Sequence, residues 1–345
     1  MKRPRLVNLL DDFALGGVTR GLGIFDCDAV RAVVDPQVER IAKDAWLAPR
    51  LEAEVIIVHF PPNWRRLLFL ASLRQRNPRA RIIWVEHSYT RAWEALKVPE
   101  QGRFRLLLRA TCRMVDHIVC VSHGQARWLA EAANLSPETV EVIHPWSRDQ
   151  GLASLPYPAF AAGRPLRVGA LGRFAEQKGF DTLISAHRRG LMPGTELVIG
   201  GTGPDEERLK LMAGDSPFIH FLGKITDVAG FLEQADVVAL PSRWEAYGQV
   251  ANEAREGGRP IITAPVDGLP EQVGEAGMVV DFTDDAAVLD TFARLRAADL
   301  PAMARAARQS TLGCGPLRQQ QWAHLLDRAL SHATRGHFGE LALAL

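Results

Sequence analysis

Two glutamates, Glu245 and Glu253, are separated by seven residues, and Gly248 lies between them. A short apolar run ends just ahead of them at Pro241-Ser242. That order predicts a strand, a loop carrying Glu245, and a helix carrying Glu253. The N-terminus of such a helix, near residues 247–250, presents backbone N–H groups and the positive end of its dipole, which suits an anionic group or hydroxyls. Ionised carboxylates are strong acceptors for paired hydroxyls, at about 1.5–3 kcal/mol per hydrogen bond. Taken alone, the same spacing also fits two glutamates on a surface helix.

Two cations, Arg173 and Lys178, lie just past a second apolar run and are bracketed by Gly172 and Gly179. The end of a parallel strand is where an open α/β sheet places its ligand. An Arg fork and a Lys point charge there suit phosphate, although most such pairs are ordinary surface cations. Gly16-Gly17 follows the first apolar run and allows close backbone approach, or else makes a plain turn. His87 follows a third run and is available for proton transfer or for a structural hydrogen bond. Glu86, His59 and His123 compete with it. Asp26-Cys27-Asp28 has the form of a metal-binding D-x-D pair, but no third ligand is in view, so a solvated turn is expected and no metal site.

The elements that must hold these residues follow from the hydrophobic pattern. Apolar runs without period-2 alternation occur at 6–10, 55–60, 82–86, 117–121 and 140–144. Further runs occur at 166–171, 195–200, 219–222, 237–241, 260–264 and 277–281. They read as strands buried on both faces of parallel sheets, with helices between them in right-handed βαβ units. Residues 147–165 are rich in Pro, Gly and Ala and read as a linker. The fold class is therefore α/β, with two doubly wound Rossmann-like domains, 1–160 and 161–315. A late helix at 317–333, within 316–345, follows the break Gly313-Cys314-Gly315-Pro316 and is expected to pack back on the first domain.

Composition bounds the rest. The 345 residues are 47% hydrophobic and 23% charged, with a net charge of +1. That balance excludes a strong field for nucleic acid. Residues 1–160 hold 22 Lys+Arg against 17 Asp+Glu (+5), and the remainder holds 19 against 23 (−4). Arg105, Arg109 and Arg113 recur every four residues on one helix face, and Arg65, Arg66, Arg74, Arg76, Arg79 and Arg81 crowd another segment. These suit peripheral contact with an anionic membrane, or a solvated face. The cysteines, Cys27, Cys112, Cys120 and Cys314, show no paired spacing, which points to reduced thiols and a cytoplasmic setting, with the basic faces allowing membrane association at the inner face. The apolar stretch after the basic start stops at Asp11-Asp12, too short for a signal peptide. No glycine cluster completes G-x-G-x-x-G, which argues against a dehydrogenase.

Four stretches resemble glycosyltransferase family 4, and they occur in the family's order. They are Gly172-Arg173-Phe174-Ala175-Glu176-Gln177-Lys178-Gly179, then Gly200-Gly201-Thr202-Gly203-Pro204, then Pro241-Ser242-Arg243-Trp244-Glu245-Ala246-Tyr247-Gly248 leading to Glu253, then Gly268-Leu269-Pro270-Glu271. The first half offers only Gly16-Gly17, His59, Glu86-His87 and Val121-Ser122. The resemblance implies the GT-B architecture, two Rossmann-like domains facing across a cleft, with the acceptor on the first and a nucleotide sugar on the second.

It further implies a retaining, metal-independent transfer from a UDP-, GDP- or ADP-sugar to a glycan or lipid-linked acceptor, in polysaccharide or glycoconjugate biosynthesis, with no cofactor required. By resemblance, Glu253 accepts the ribose hydroxyls and Glu245 those of the donor sugar, while Arg173 and Lys178 neutralise the diphosphate. Gly16, Gly17, Gly172, Ala246, Tyr247 and Gly248 line the donor, and His87 meets the sugar or the β-phosphate. The chain departs from the family in lacking a D-G-x-x-G stretch before Met278-Val279-Val280. An epimerase or hydrolase of the same fold, or a non-catalytic sugar-nucleotide-binding protein, remains the alternative.

Overall fold

The computed structural model describes residues 3–12, 17–146, 150–161 and 163–332, with the backbone alone at Gly17, Val18 and His332. The chain divides into two compact units. Unit 1 takes in residues up to Tyr89, then Lys97–Arg148, then the segment from Cys314 onward; unit 2 takes in Thr90–Leu96 and Asp149–Gly313.

Unit 1 runs β1 (Arg5–Leu10), α1 (Gly17–Gly21), α2 (Asp28–Val33), β2 (Asp35–Arg40), β3 (Val55–Val58), α3 (Trp64–Arg76) and β4 (Arg81–Glu86). The short helix α4 (Arg91–Lys97) falls almost wholly in unit 2. Unit 1 resumes with α5 (Gln101–Cys112), β5 (His117–Cys120), α6 (His123–Ala133) and β6 (Val140–Val142). Its six strands are all parallel, in the order β2-β1-β3-β4-β5-β6. β1, β3 and β4 are apolar runs buried along nearly their whole length, as central parallel strands must be. β2 is the element the hydrophobic pattern misses. Its residues, Asp-Pro-Gln-Val-Glu-Arg, include none that is buried, because it is an edge strand.

Unit 2 runs β7 (Leu166–Leu171), α7 (Phe180–Arg188), β8 (Thr195–Gly200), α8 (Glu206–Ala213), β9 (Ile219–Gly223), α9 (Val228–Glu233) and β10 (Val237–Leu240). It continues with α10 (Gln249–Glu256), β11 (Ile261–Thr263), β12 (Gly277–Val279), α11 (Asp285–Ala297) and α12 (Leu300–Gln309). Its sheet is again parallel and six-stranded, in the order β12-β11-β10-β7-β8-β9. The chain first builds outward from β7 to β9, then restarts at β10 on β7's other side. β7 and β10 therefore flank the topological switch point, where loops leave in opposite directions and open a crevice beyond the strand ends. In unit 1 the corresponding neighbours are β1 and β3.

The last described helix, α13 (Cys314–His332), belongs to unit 1 and packs on α2. It starts three residues earlier than the expected 317–333 range. The break is Gly313 alone, at φ +74. Gly315 and Pro316 sit in the first turn, where amides have no intrahelical partner and a proline costs nothing. No helix among the described residues is long and apolar enough to cross a membrane.

Candidate functional site

In unit 2 the loop after β7 and the loop after β10 meet beyond the switch point. After Leu171 the chain passes Gly172 and Arg173, buries Phe174, and turns through Glu176–Lys178 into α7. Gly179, at φ +62, opens that helix, and a Cβ there would lie 2.0 Å from the carbonyl oxygen of Pro241. Only glycine permits this approach, which seats the Lys178 turn against the end of β10. Hydrogen bonds then lock the two loops together. Arg243 donates its amide to Gln177 O (2.8 Å) and Nη1 to Glu176 O (2.9 Å), and it clasps Asp181 with both Nη atoms (2.9 Å each). Gln177 Nε2 returns a bond to Trp244 O at 3.2 Å.

This frame brings Lys178 and Glu245 into a direct ion pair. Ser242 Oγ donates to the same carboxylate oxygen of Glu245 at 3.3 Å. Side-chain exposures of 20% and 12% leave the pair reachable yet poorly hydrated, a setting in which a charge-assisted bond outweighs a surface pair. The backbone of Gly172 lies beside the Lys178 stem. Arg173 is exposed and makes no hydrogen bond or ion pair among the described residues.

Glu245 is also fixed through its main chain. Its amide donates to Asp267 Oδ2 (3.0 Å), and its carbonyl accepts from Gly268 N (3.1 Å). Asp267 adopts φ +47 and also accepts from Ala92 N at 3.1 Å. Burial raises the Asp267 carboxyl above its usual range, and the Glu245 charge adds to this, while hydrogen bonds from Ala92, Thr90 and Glu245 pull the other way.

Gly248, at φ +90, is the N-cap of α10, and no side chain caps that end. The turn before it is held from inside the fold. Gln272 Nε2 donates to Tyr247 O, and Arg255 Nη2 donates to Gln272 Oε1 at 2.9 Å. Ala246, Tyr247 and Glu253 are all buried, Glu253 to 3% exposure. The structure thus joins Lys178, Glu245 and the α10 N-terminus, leaves Arg173 reaching into solvent, and sinks Glu253 on the inner side of α10. Asp267 and Gln272 are supports that lie outside the quoted motifs, and Ser242 lies inside one without a role assigned to it there. The Asp-Gly pair at 267–268 was the available signal, since that dipeptide marks a left-handed turn.

In unit 1, Gly16 lies outside the described residues, and Gly17 opens α1 after β1. His87 follows β4, and its Nε2 lies 3.1 Å from Nδ1 of His59, the ring that follows β3. His59 Nε2 lies 2.9 Å from Oδ1 of Asn8 on β1. Burial lowers the His87 pKa to about 4 and also lowers that of His59, with His87 a further cause. Glu86, 1% exposed, accepts from the amides of Ser88 and Tyr89 at 2.5 and 2.9 Å and so fixes the loop that carries His87. Ser122 caps α6, as its position suggests, accepting from Gln125 N at 3.1 Å. Asp26 pairs with Arg31 at 2.7 Å, and no cluster of metal-ligating residues occurs among the described residues.

The two sheets and their switch points define a GT-B protein. A glycosyltransferase from Rickettsia africae superposes with a TM-score of 0.72 at 14% identity, covering 96% of this chain and 99% of that one. The Anabaena protein HepE, solved in complex with UDP, gives 0.70 at 17% identity, covering 94% and 100%. Residues 30–146 match the family described as Glycosyltransferase Family 4, and residues 165–297 match Glycosyl transferases group 1. The chain belongs to these glycosyltransferases.

Among sequence relatives, a D-inositol 3-phosphate glycosyltransferase of Mycolicibacterium smegmatis is 28% identical over 242 residues, 64% of this chain and 53% of that protein. A glycogen synthase of Mycobacterium tuberculosis is 33% identical over 183 residues, 45% and 44%. The chain spans about half the length of the sequence relatives it matches.

Proposed function

We propose that the protein is a retaining glycosyltransferase that takes a sugar from a UDP-, GDP- or ADP-sugar and transfers it to a glycan or lipid-linked acceptor. The observation that carries this reading is the Lys178–Glu245 pair at the β7/β10 switch point, beside the uncapped N-terminus of α10. In the donor complex Lys178 turns its ammonium to the diphosphate, and Glu245 accepts hydrogen bonds from sugar hydroxyls. Arg173 is the free cation that swings in. Glu253 takes the ribose hydroxyls once α10 adjusts to admit them. The bond from the anomeric carbon to the phosphate oxygen breaks, the acceptor oxygen bonds to that carbon on the same face, and its proton passes to the departing phosphate. Lys178, Arg173 and the helix end stabilise the charge that builds there, so the reading requires no metal held by the protein.

The test is a thermal-shift panel of UDP-, GDP-, ADP- and dTDP-sugars, run with and without EDTA. One nucleotide class is expected to stabilise the wild type, by about 2.7 kcal/mol at a hundred times its Kd. EDTA should leave that shift intact, and Lys178→Ala and Glu253→Ala should abolish it. Absence of any shift in the wild type sinks the donor-site assignment, and loss of the shift in EDTA sinks the metal-free one.

The same reading gives unit 1 an anionic lipid surface as the source of its acceptor. α3 and α5 pack side by side, and Arg103 lies 5.5 Å over the ring of Trp64. Their outer faces expose Trp64 (44%), Leu68 (61%) and Leu106 (55%) among Arg65, Arg109 and Arg113. Apolar side chains ringed by arginines suit lipid headgroups at the cytoplasmic face of a membrane.

A further inference from the structure

We infer that Asn8 and His59 are positioning residues that fix the tautomer of His87, so that His87 presents a bare Nδ1 able to accept a hydrogen bond from a hydroxyl. The direction of every bond in this chain is set by one carbonyl. Asn8 Nδ2 lies 3.3 Å from the backbone oxygen of Gln37 on β2. A carbonyl can only accept, so the Asn8 amide must turn its NH₂ to Gln37 and its Oδ1 to His59. His59 Nε2, 2.9 Å from that oxygen, must then carry the ring proton.

A neutral imidazole has one N–H, which leaves His59 Nδ1 as an acceptor. That nitrogen faces His87 Nε2 at 3.1 Å, so His87 donates from Nε2. The remaining nitrogen of His87, Nδ1, keeps its lone pair. Among the described residues it has no partner, and it is not among the buried unsatisfied atoms. Burial keeps both rings neutral near pH 7. The rings lie nearly parallel, 5.4 Å apart at 22°, and Phe25 packs edge-on against His59 at 6.1 Å. The relay therefore crosses four neighbouring strands, from the middle of β2 and β1 to the residues just past the ends of β3 and β4.

The consequence concerns which group His87 can meet. A bare lone pair accepts from O–H and repels a phosphate oxygen. On the glycosyltransferase reading, His87 therefore meets a sugar hydroxyl and not the β-phosphate. The identity of that hydroxyl rests on the proposed function; the tautomer does not.

The experiment is nitrogen-15 NMR of histidine-labelled full-length protein at neutral pH, without substrate, with His87 assigned through His87→Gln. Wild-type His87 is expected to show a protonated Nε2 and an unprotonated Nδ1. His59→Phe keeps a flat ring but removes the acceptor, and should give His87 a mixture of tautomers. His59→Gln restores an amide oxygen and should restore the single tautomer. Asn8→Leu should scramble both rings, and Asn8→Asp should preserve both. A circular dichroism melt of each variant separates misfolding from loss of the relay, and His59→Gln keeps the test alive should His59→Phe not fold.

A protonated Nδ1 on wild-type His87, or an unchanged tautomer in a folded His59→Phe, overturns the inference. Neither result touches the donor site. Conversely, failure of every sugar nucleotide to bind overturns the proposed function and leaves the relay standing.

Discussion

At the scale of single residues, Glu86 sets the clearest pH dependence. Burial raises its carboxyl from 4.5 to about 7, with hydrogen bonds from the Tyr89, Ser88 and His87 amides opposing. The folded protein thus holds a proton that the unfolded chain releases, and between those values stability falls as pH rises. His87 works the other way: its value is lowered from 6.5 to about 4, so its contribution is lost as pH falls through that window. Glu86→Gln removes only the first effect. The difference in Tm between wild type and variant should therefore move in the variant's favour from pH 4.5 to 7; a constant difference across that window would falsify the assignment.

At this scale the sequence was partly legible. Lys178 and Glu245 announced themselves through flanking glycines, and the structure brings them together. Asn8 was equally visible as a polar residue inside Leu6-Val7-Asn8-Leu9-Leu10, yet its role depends on β3 and β4 lying beside β1. Pairing of that kind is long-range, and no local pattern encodes it.

At the scale of elements, apolar runs located eleven of the twelve strands among the described residues, and the central ones are apolar because they are buried on both faces. β2 escaped because it is an edge strand with only Pro36 and Val38 apolar, and it buries neither. Helix faces were readable only as periodicity. Arg105, Arg109 and Arg113 do share a side of α5, but Arg105 is half-buried while the other two are exposed. The surface that matters combines α5 with α3, and that packing is tertiary. Its test is cosedimentation with vesicles of neutral or anionic lipid. The protein should pellet with the anionic vesicles and release as salt rises. Arg65→Glu and Arg109→Glu should each weaken binding by about 1 kcal/mol or more, and Leu68→Glu should weaken it at any salt. Equal binding to neutral vesicles, or no effect of the charge reversals, would remove the lipid surface from the account.

At the scale of the whole molecule, the informative feature is that unit 1 is discontinuous. α13 follows all of unit 2 in the chain yet completes the core of unit 1. Trp322 packs edge-on to Phe25 at 4.9 Å, Leu325 and Leu326 are fully buried, and Arg318 donates to Pro145 O at 2.8 Å. Trp322→Ala should cost about 3–5 kcal/mol, the usual range for a large aromatic removed from a core. The loss should appear as a lower midpoint for unit 1 in a denaturant melt, with the midpoint of unit 2 little changed. A single melting transition shifted as a whole would show that the two units unfold together. The late helix and its return to the first domain could be anticipated from its pattern after a glycine break, but its seat on α2 could not, since nothing local links residues so far apart.

That arrangement bears on how the chain is made. Synthesis delivers the six strands of unit 1 first, with α4 among them, then the main body of unit 2, and only afterwards the helix that covers α2 and Phe25. While the ribosome builds the second unit, the first waits with an apolar face open to water. Such nascent intermediates expose the surface that aggregation and chaperones both recognise. A fragment ending near residue 160 would hold that unfinished state permanently. The first unit therefore matures last, although it emerges first.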